Sequence, residues 1–289
     1  MISRHDRGGE SGESPVRFPP AATWRLMVDG QADGATNMAV DEAILTGIQK
    51  GASPPTLRFY AWSPPCLSLG RNQPLGDVDQ TACQTAGVDV VRRPTGGRAI
   101  LHTDELTYSV SLLQTDPRAA GGVMDSYRRL SEGLLAGLHR LGVQAVQAMG
   151  QRQPAANLTA ICFETPSDYE ITAGGRKLLG SAQWRTRCGV LQHGTLPLYG
   201  DIRRIVAYLA LSDVEREMQK RVLCARATTL EETLEHVIPF AQAAQVLADG
   251  IAQALDLTLI PGELTAHERG LVAELRRTRY AAPDWTARS

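Results

Sequence analysis

Apolar residues recur along the chain with two different periods, and each change of period marks an element boundary. Trp24-Arg25-Leu26-Met27-Val28 reads as a short first strand. A helix is predicted from about Asn37 to Gln49, because Val40, Ile44 and Ile48 recur every four residues and give one buried stripe. Thr36 or Asn37 is its expected N-cap, with Asp41 and Glu42 near the positive end of the dipole. Met38 and Asp41 then read as structural. Thr56 to Trp62 is strand-like, Ser63-Pro64-Pro65 breaks it, and Cys66 to Gly70 resumes. Val88 to Arg92 is a strand delivering a Pro-Thr-Gly-Gly turn, and Leu106 to Leu113 is another.

From Asp125 to Leu141 the pattern turns helical, with Tyr127, Leu130, Leu134, Leu138 and Leu141 on one face and Gly142 as C-cap. A polar passage, Met149 to Asn157, leads to Leu158–Phe163. Asp168 to Ala173 alternates like a strand, Gly174-Gly175 is a two-residue hairpin signal, and Arg176 to Arg187 returns with Lys177 just past the turn. Gly189 to Leu198 supplies one more strand. Beyond Asp201 the chain reads as helical: Thr229 to Glu232 and Thr265 to Glu268 fit capping boxes. Phe240, Ala244, Leu247, Ile251 and Leu255 mark an amphipathic helix after Pro239, and Glu268 to Arg277 a short charged one. Strands with a few interspersed helices predict an α+β fold, a mixed or antiparallel sheet with helices packed on it.

Composition adds mainly exclusions. The 289 residues carry 30 Lys+Arg against 31 Asp+Glu, a formal net charge of −1, so no general affinity for nucleic acid or anionic membrane is expected. No run approaches the roughly 20 apolar residues of a membrane span. Residues 1–22 are polar and rich in Gly, Ser and Pro, and read as a disordered leader without a signal-peptide core. A cytoplasmic address follows. The five cysteines, Cys66, Cys83, Cys162, Cys188 and Cys224, contain no C-x-x-C pair and no zinc spacing. Reduced thiols and no metal are expected, with Cys66 and Cys83 as packing residues and Cys188 and Cys224 at packing or surface positions.

Two places concentrate chemistry. In VRRPTGGRAILHTDELTYSVS, Arg92 and Arg93 enter the Thr95-Gly96-Gly97 turn, Arg98 leaves it and His102 follows. Paired glycines let backbone N–H groups approach a ligand, and flanking guanidiniums suit a carboxylate or phosphate. An ordinary hairpin turn with solvated arginines fits the spacing equally. Cys162 stands in Ile-Cys-Phe-Glu-Thr-Pro-Ser and Lys177 follows across the hairpin. Each has a bland reading, a buried small hydrophobe and a solvated charge. Together they suggest more, since an ammonium near a thiol raises the thiolate fraction and a lysine that has lost its proton can act as base toward an amine. Glu164, Asp168 and Glu170 can be read as paired carboxylates for acid–base work, yet are more simply polar positions of a loop and strand edge.

RRPTGGRAILHTDELTYS resembles the signature of the lipoate-protein ligase A and octanoyltransferase family. Asn37–Ala43, Ser68–Gln73, Cys162–Ser167, Gly175–Gln183 and Gln192–Thr195 match it in order. The resemblance spans about residues 23 to 198, with a weaker likeness to the C-terminus. It implies the biotin/lipoate ligase fold, akin to the catalytic domain of class II aminoacyl-tRNA synthetases, with a mixed, largely antiparallel sheet flanked by helices. The catalytic domain would run over 23–255, with a short helical extension over 256–289.

The Cys-Phe-x-x-Pro-Ser motif is similar to that of the LipM-type octanoyltransferases, in which the cysteine carries the acyl group as a thioester and the lysine lowers its pKa. Carried over, Cys162 and Lys177 are the expected catalytic pair, octanoyl-acyl carrier protein the donor, and a lysine of a lipoyl domain such as glycine cleavage H protein the acceptor, with no cofactor. A tunnel for eight carbons is expected, walled in part by the Thr95-Gly96-Gly97 turn. Oxyanion donors are expected near Gly96, Gly97 or Ser181-Ala182; Arg92, Arg93 and Arg98 would orient a phosphopantetheine or an acidic partner. His102 and His193 invite a general-base reading, but structural or ligand-orienting roles are expected, because Lys177 already supplies the proton chemistry. Three rivals remain open at this level: an ATP- and Mg-dependent lipoate ligase, an octanoyl transferase between lipoyl domains, and a non-catalytic acyl sensor.

Overall fold

The computed structural model describes residues 21–148 and 170–288. The chain begins with β1 (Ala22–Ala32), α1 (Gly34–Gln49), β2 (Thr56–Trp62), β3 (Cys66–Leu69), α2 (Gln80–Thr85), β4 (Asp89–Arg92), β5 (Ile100–His102) and β6 (Glu105–Leu113). It continues with α3 (Val123–Arg140), β7 (Ala145–Gln147), β8 (Ile171–Ala173), β9 (Arg176–Arg185) and β10 (Gly189–Pro197). A 3₁₀ stretch, Ile202–Tyr208, then leads to α4 (Asp213–Arg226), α5 (Leu230–Leu234), α6 (Phe240–Leu255), β11 (Leu257–Pro261), α7 (Ala266–Leu275) and α8 (Pro283–Thr286).

Eight strands form the main sheet in the order β11-β1-β2-β6-β10-β9-β8-β7, and β4-β3-β5 form a smaller one. In the main sheet β1 runs parallel to both β11 and β2, while every other neighbouring pair is antiparallel. The fold is therefore α+β with a mixed, mostly antiparallel sheet, as the strand pattern predicts.

Period-two alternation decides what each face of that sheet does. Leu106, Tyr108, Val110 and Leu112 of β6, with Val190 and Leu196 of β10, pack against Leu130, Leu134 and Leu138 of α3 and Leu247, Ile251 and Leu255 of α6. The two helices cross closely because Gly137 and Gly250 meet: a Cβ on Gly250 would stand 2.2 Å from the Gly137 nitrogen. The alternate positions, Glu105, Thr107, Ser109 and Ser111 of β6 and Arg58 of β2, are equally buried and polar. They face α1 and the small sheet. A buried polar layer must be hydrogen-bonded throughout, and the site is built in this layer.

Helix α1 starts earlier than its apolar period shows. Asp33 is its N-cap, its side chain accepting from the Thr36 backbone N–H at 2.7 Å. Asn37 lies buried inside the helix and donates Nδ2–H to the Ala32 and Ala61 carbonyls. Val40, Ile44 and Ile48 form the expected stripe, packed with Met27. Helix α3 and the Gly174-Gly175 turn, at φ +55° and +76°, fall where their patterns place them.

The stretch after Leu255 is more than a helical appendage. Leu257–Pro261 adds a strand parallel to β1, and α7 packs on α1. The Thr265–Glu268 capping box forms, and Glu268 also receives a two-pronged bond from Arg25 at 2.7 and 2.5 Å. An uncapped apolar run of five residues gave no strand signal against the helical pattern on both sides of it.

Candidate active site

Four segments meet at the polar layer: the first half of α1, the β3 loop with the β4–β5 turn, the middle of β10, and the β8–β9 hairpin. The turn is pressed against the loop after β3. A Cβ on Gly70 would fall 2.0 Å from the Gly97 carbonyl oxygen, so only glycine allows the approach. Gly97 itself sits at φ +95°.

Arg92 and Arg93 hold this pair of loops together. Arg92 is fully buried and donates to the carbonyls of Gly70 (2.8 Å), Gln73 (2.6 Å) and Thr286 (2.7 Å). Arg93 donates to Ser68 O (2.9 Å), Gly96 O (2.9 Å) and Arg98 O (2.8 Å). Two guanidiniums expected to face a phosphopantetheine or an acidic partner are instead enclosed. The physical reason is the count of carbonyls that the crossing of two glycine loops leaves without strand partners. Arg98 stays partly exposed, 3.9 Å from Asp77.

Two hydroxyl–imidazole–carboxylate chains run side by side beneath the turn. In one, Thr95 Oγ1 is 2.7 Å from His193 Nε2, and His193 Nδ1 is 3.4 Å from Asp41 Oδ2. In the other, Ser68 Oγ is 2.8 Å from His102 Nε2, and His102 Nδ1 is 2.8 Å from Glu105 Oε1. Trp62 stacks on the His102 ring with centroids 4.0 Å apart. Both histidines are thus oriented by a carboxylate on one nitrogen and offer the other to a hydroxyl. Asp41 is the hub of the first chain. It also accepts from Arg58 (2.8 Å), Tyr60 (2.9 Å) and Ser109 (2.8 Å). Burial alone would push its carboxyl up, but the hydrogen bonds from His193 and Arg58 and the Arg58 charge hold it below the usual range. Burial pushes His193 down, and Asp41 offsets only part of that.

Lys177 completes the layer. Its side chain is fully buried, and Nζ donates to the carboxylate of Glu170, itself only 3% exposed. Gly180 makes room for it: a Cβ there would stand 2.8 Å from Lys177 Cε and 3.1 Å from Nζ. Gly180 lies directly across from Thr195, and Ala182 across from His193. Cross-strand partners share a face, so the ammonium lies on the His193 and Thr195 side of the sheet. Ser181 faces the opposite side, where its hydroxyl pairs with Tyr108 at 2.6 Å and its carbonyl accepts from Tyr127 at 3.2 Å.

Of the residues singled out in the sequence, Lys177, His193 and Ala182 share one face of the sheet, and Thr95 bonds to His193. In the sequence Glu170 reads more simply as a strand-edge position and Asp41 as structural, and Ser68 is given no role. For Glu170 a signal existed: the Gly-Gly turn pairs Thr172 with Lys177, and Glu170, two residues from Thr172, returns to the same face. For Asp41 there was none, since its partners come from three separate elements. Cys162, Glu164 and Asp168 lie outside the described residues.

Cys66 and Cys83 are buried among apolar side chains, and burial pushes both thiols up, Cys83 to about 11. Cys188 and Cys224 are exposed. Among the described residues no cluster of three His, Cys, Asp or Glu is arranged to hold a metal ion, and no helix is long and apolar enough to cross a membrane. A cleft lies beyond the end of β10, lined by Leu101, Glu105, Thr195, Pro197, Ile205 and Leu223 among others. Neither Lys177 nor the Thr95–Gly97 turn reaches it.

Residues 33–252 match the model of the lipoyl protein ligase A/B catalytic domain. The chain is 43% identical over 272 residues to the octanoyltransferase LipM of Kyrpidia tusciae, covering 92% of this chain and 99% of the relative. It is 44% identical over 272 residues to that of Moorella thermoacetica, covering 93% and 99%. Among solved structures it resembles a bipartite lipoate protein ligase from Thermoplasma acidophilum, with TM-score 0.77 and 21% identity over 92% of this chain and 96% of that one. It also resembles a lipoate-protein ligase A bound with ATP, with TM-score 0.75 and 22% identity over 92% and 98%. These distant structures speak for the fold.

Proposed function

Because the chain belongs to the family of the lipoyl protein ligase A/B catalytic domain, we propose that it transfers octanoyl from a carrier-protein thioester to a lipoyl domain through its own cysteine. It is an acyltransferase, an octanoyltransferase of protein lipoylation. What the proposal adds is the route: octanoyl-acyl carrier protein as donor, Cys162 as the acyl carrier, Lys177 as the proton carrier, and no nucleotide.

The observation that carries the route is the enclosed Lys177 ammonium beside Glu170, on the same face as the Thr95–His193 pair. A buried lysine with an anionic partner stays charged, and a charged lysine next to a thiol favours the thiolate. The Cys162 sulfur attacks the donor thioester. The S–C bond to the enzyme forms, the bond to the pantetheine sulfur breaks, and Lys177 gives that departing thiolate its proton. In the second half the acceptor lysine's amine attacks the enzyme thioester, its proton passes to neutral Lys177, and Cys162 leaves as thiolate. The proton lent in the first half returns in the second.

Thioester exchange is close to isoenergetic and amide formation runs downhill, so no phosphoanhydride is consumed. The Thr95-Gly96-Gly97 turn supports the oxyanion, its backbone held by Arg92 and Arg93 and its hydroxyl by His193. Each methylene of the acyl chain buried in the site contributes about 0.8 kcal/mol to holding the substrate.

Intact mass after incubation with octanoyl-acyl carrier protein, without nucleotide, tests this route. The wild-type chain should gain one octanoyl group that Cys162→Ala does not gain, and addition of an H protein should remove it. No adduct, or an adduct that persists in Cys162→Ala, refutes the thioester. Loading that requires ATP and free octanoate would point to ligase chemistry instead.

A further inference from the structure

We propose that Glu170 is the positioning residue of acyl transfer, holding the Lys177 side chain across Gly180 and keeping its nitrogen charged until its proton is needed. This rests on the reading of Lys177 as the proton carrier.

The buried ion pairs of this chain differ in what they join. Arg25–Glu268 ties β1 to α7, and Arg58–Asp41 ties β2 to α1. Each locks together two separate elements. Glu170 and Lys177 belong to a single hairpin, whose Gly174-Gly175 turn and β8–β9 ladder already fix both backbones. The pair forms within that one hairpin. It also stands beside Ile171, Ala173, Leu178 and Leu179, all buried in the main core. Two apolar side chains would suit such surroundings at least as well, because desolvating a carboxylate and an ammonium together often outweighs their attraction. A charged pair retained there is explained by what the ammonium does.

Geometry supports the same role. Lys177 has a long, flexible stem with several rotatable bonds, and two features remove that freedom: the contact with the Glu170 carboxylate at its tip and the groove that Gly180 leaves beneath Cε. The Thr228 backbone N–H, donating to the Lys177 carbonyl at 3.0 Å, fixes the base of the stem. Through the cycle Glu170 keeps its charge. When Lys177 has released its proton, a buried carboxylate faces an uncharged amine, and this electrostatic imbalance drives Lys177 to take the proton of the attacking acceptor amine. Glu170 forms no bond to acyl carbon or sulfur; it acts through Lys177.

Glu170→Gln, Glu170→Asp and Lys177→Ala in the full chain, assayed for octanoyl transfer from octanoyl-acyl carrier protein, test the proposal. Glu170→Gln preserves shape and hydrogen bonding but removes the charge. It should lower kcat about 100-fold while leaving KM for the donor within about two-fold; the unfolding midpoint should fall, because a buried ammonium is left without its charge partner, with the chain still folded at assay temperature. Glu170→Asp, which restores the charge on a shorter arm, should recover part of the loss. A Glu170→Gln enzyme within about three-fold of wild type, alongside an inactive Lys177→Ala, overturns the role of Glu170 alone. Near-normal transfer by Lys177→Ala overturns the reading beneath it. A loss in Glu170→Gln matched by an equal loss of folded protein, with no recovery in Glu170→Asp, shows a structural pair and also overturns the proposal.

Discussion

The Lys177 stem lies where the side chain of residue 180 would be: a Cβ on Gly180 would stand 2.8 Å from Cε and 3.1 Å from Nζ. Gly180 sits in extended backbone within β9, so alanine meets no backbone strain there. Gly180→Ala should displace the ammonium and leave the fold intact. Transfer is expected to fall about 10- to 100-fold, since a shift of about 1 Å in a reacting group costs that much. The melting temperature should move by less than about 2 °C. Equal rates for mutant and wild type would show that Lys177 does not need its present position.

Asp41 accepts from Arg58, Tyr60 and Ser109 and pairs with His193 while wholly buried. Asp41→Asn keeps the volume but removes the charge that compensates Arg58. Breaking a buried pair in this way costs about 3–5 kcal/mol, and urea unfolding should register it. Asp29, 2.6 Å from Arg58 Nε, softens the loss, so the lower end of that range is expected.

The pH dependence of stability should carry the mark of His193. Burial, with Arg93 and His102 nearby, holds its folded pKa below the ordinary 6.5, and Asp41 offsets only part of this. Below pH 6.5 the unfolded chain takes up a proton that the folded chain refuses. The stability contributed by neutral His193 is therefore complete above pH 6.5 and is lost as pH falls toward the lower folded value. Asp41, held below 3.8, adds its own loss only in stronger acid. Urea midpoints measured from pH 8 to 5 should fall at the acid end for wild type and stay flatter for His193→Gln; parallel curves would contradict this.

Trp285, far along the chain, braces the turn. Its Nε1–H donates to the Arg92 carbonyl at 2.8 Å, Arg279 and Arg288 flank its ring at 4.7 and 5.2 Å, and the next residue's carbonyl receives the Arg92 guanidinium. Trp285→Ala removes one hydrogen bond and two cation–π contacts, about 1–2 kcal/mol together. Urea unfolding measures that cost. Limited proteolysis should find the 70–73 and 95–97 loops cut faster in the variant; unchanged cutting would mean that the loops hold without the C-terminal brace.

The chain on its own determined the elements whose signals are local. Val40, Ile44 and Ile48 recur within one helix, Leu106 to Leu112 alternate within one strand, and Gly174-Gly175 sets one hairpin; for each, a single period or a backbone preference suffices. Its motifs also carried the family. What the tertiary structure decided depends on partners far apart in the chain. Arg92 is spent on the carbonyls of Gly70, Gln73 and Thr286 rather than on a ligand. Asp41 binds residues of β2, β6 and β10. Leu257–Pro261 becomes a strand only because β1 presents an open edge to it. A charged side chain in a sequence has no stated direction; burial removes water as its default partner, and whichever carbonyl or carboxylate the fold brings within reach then decides its role.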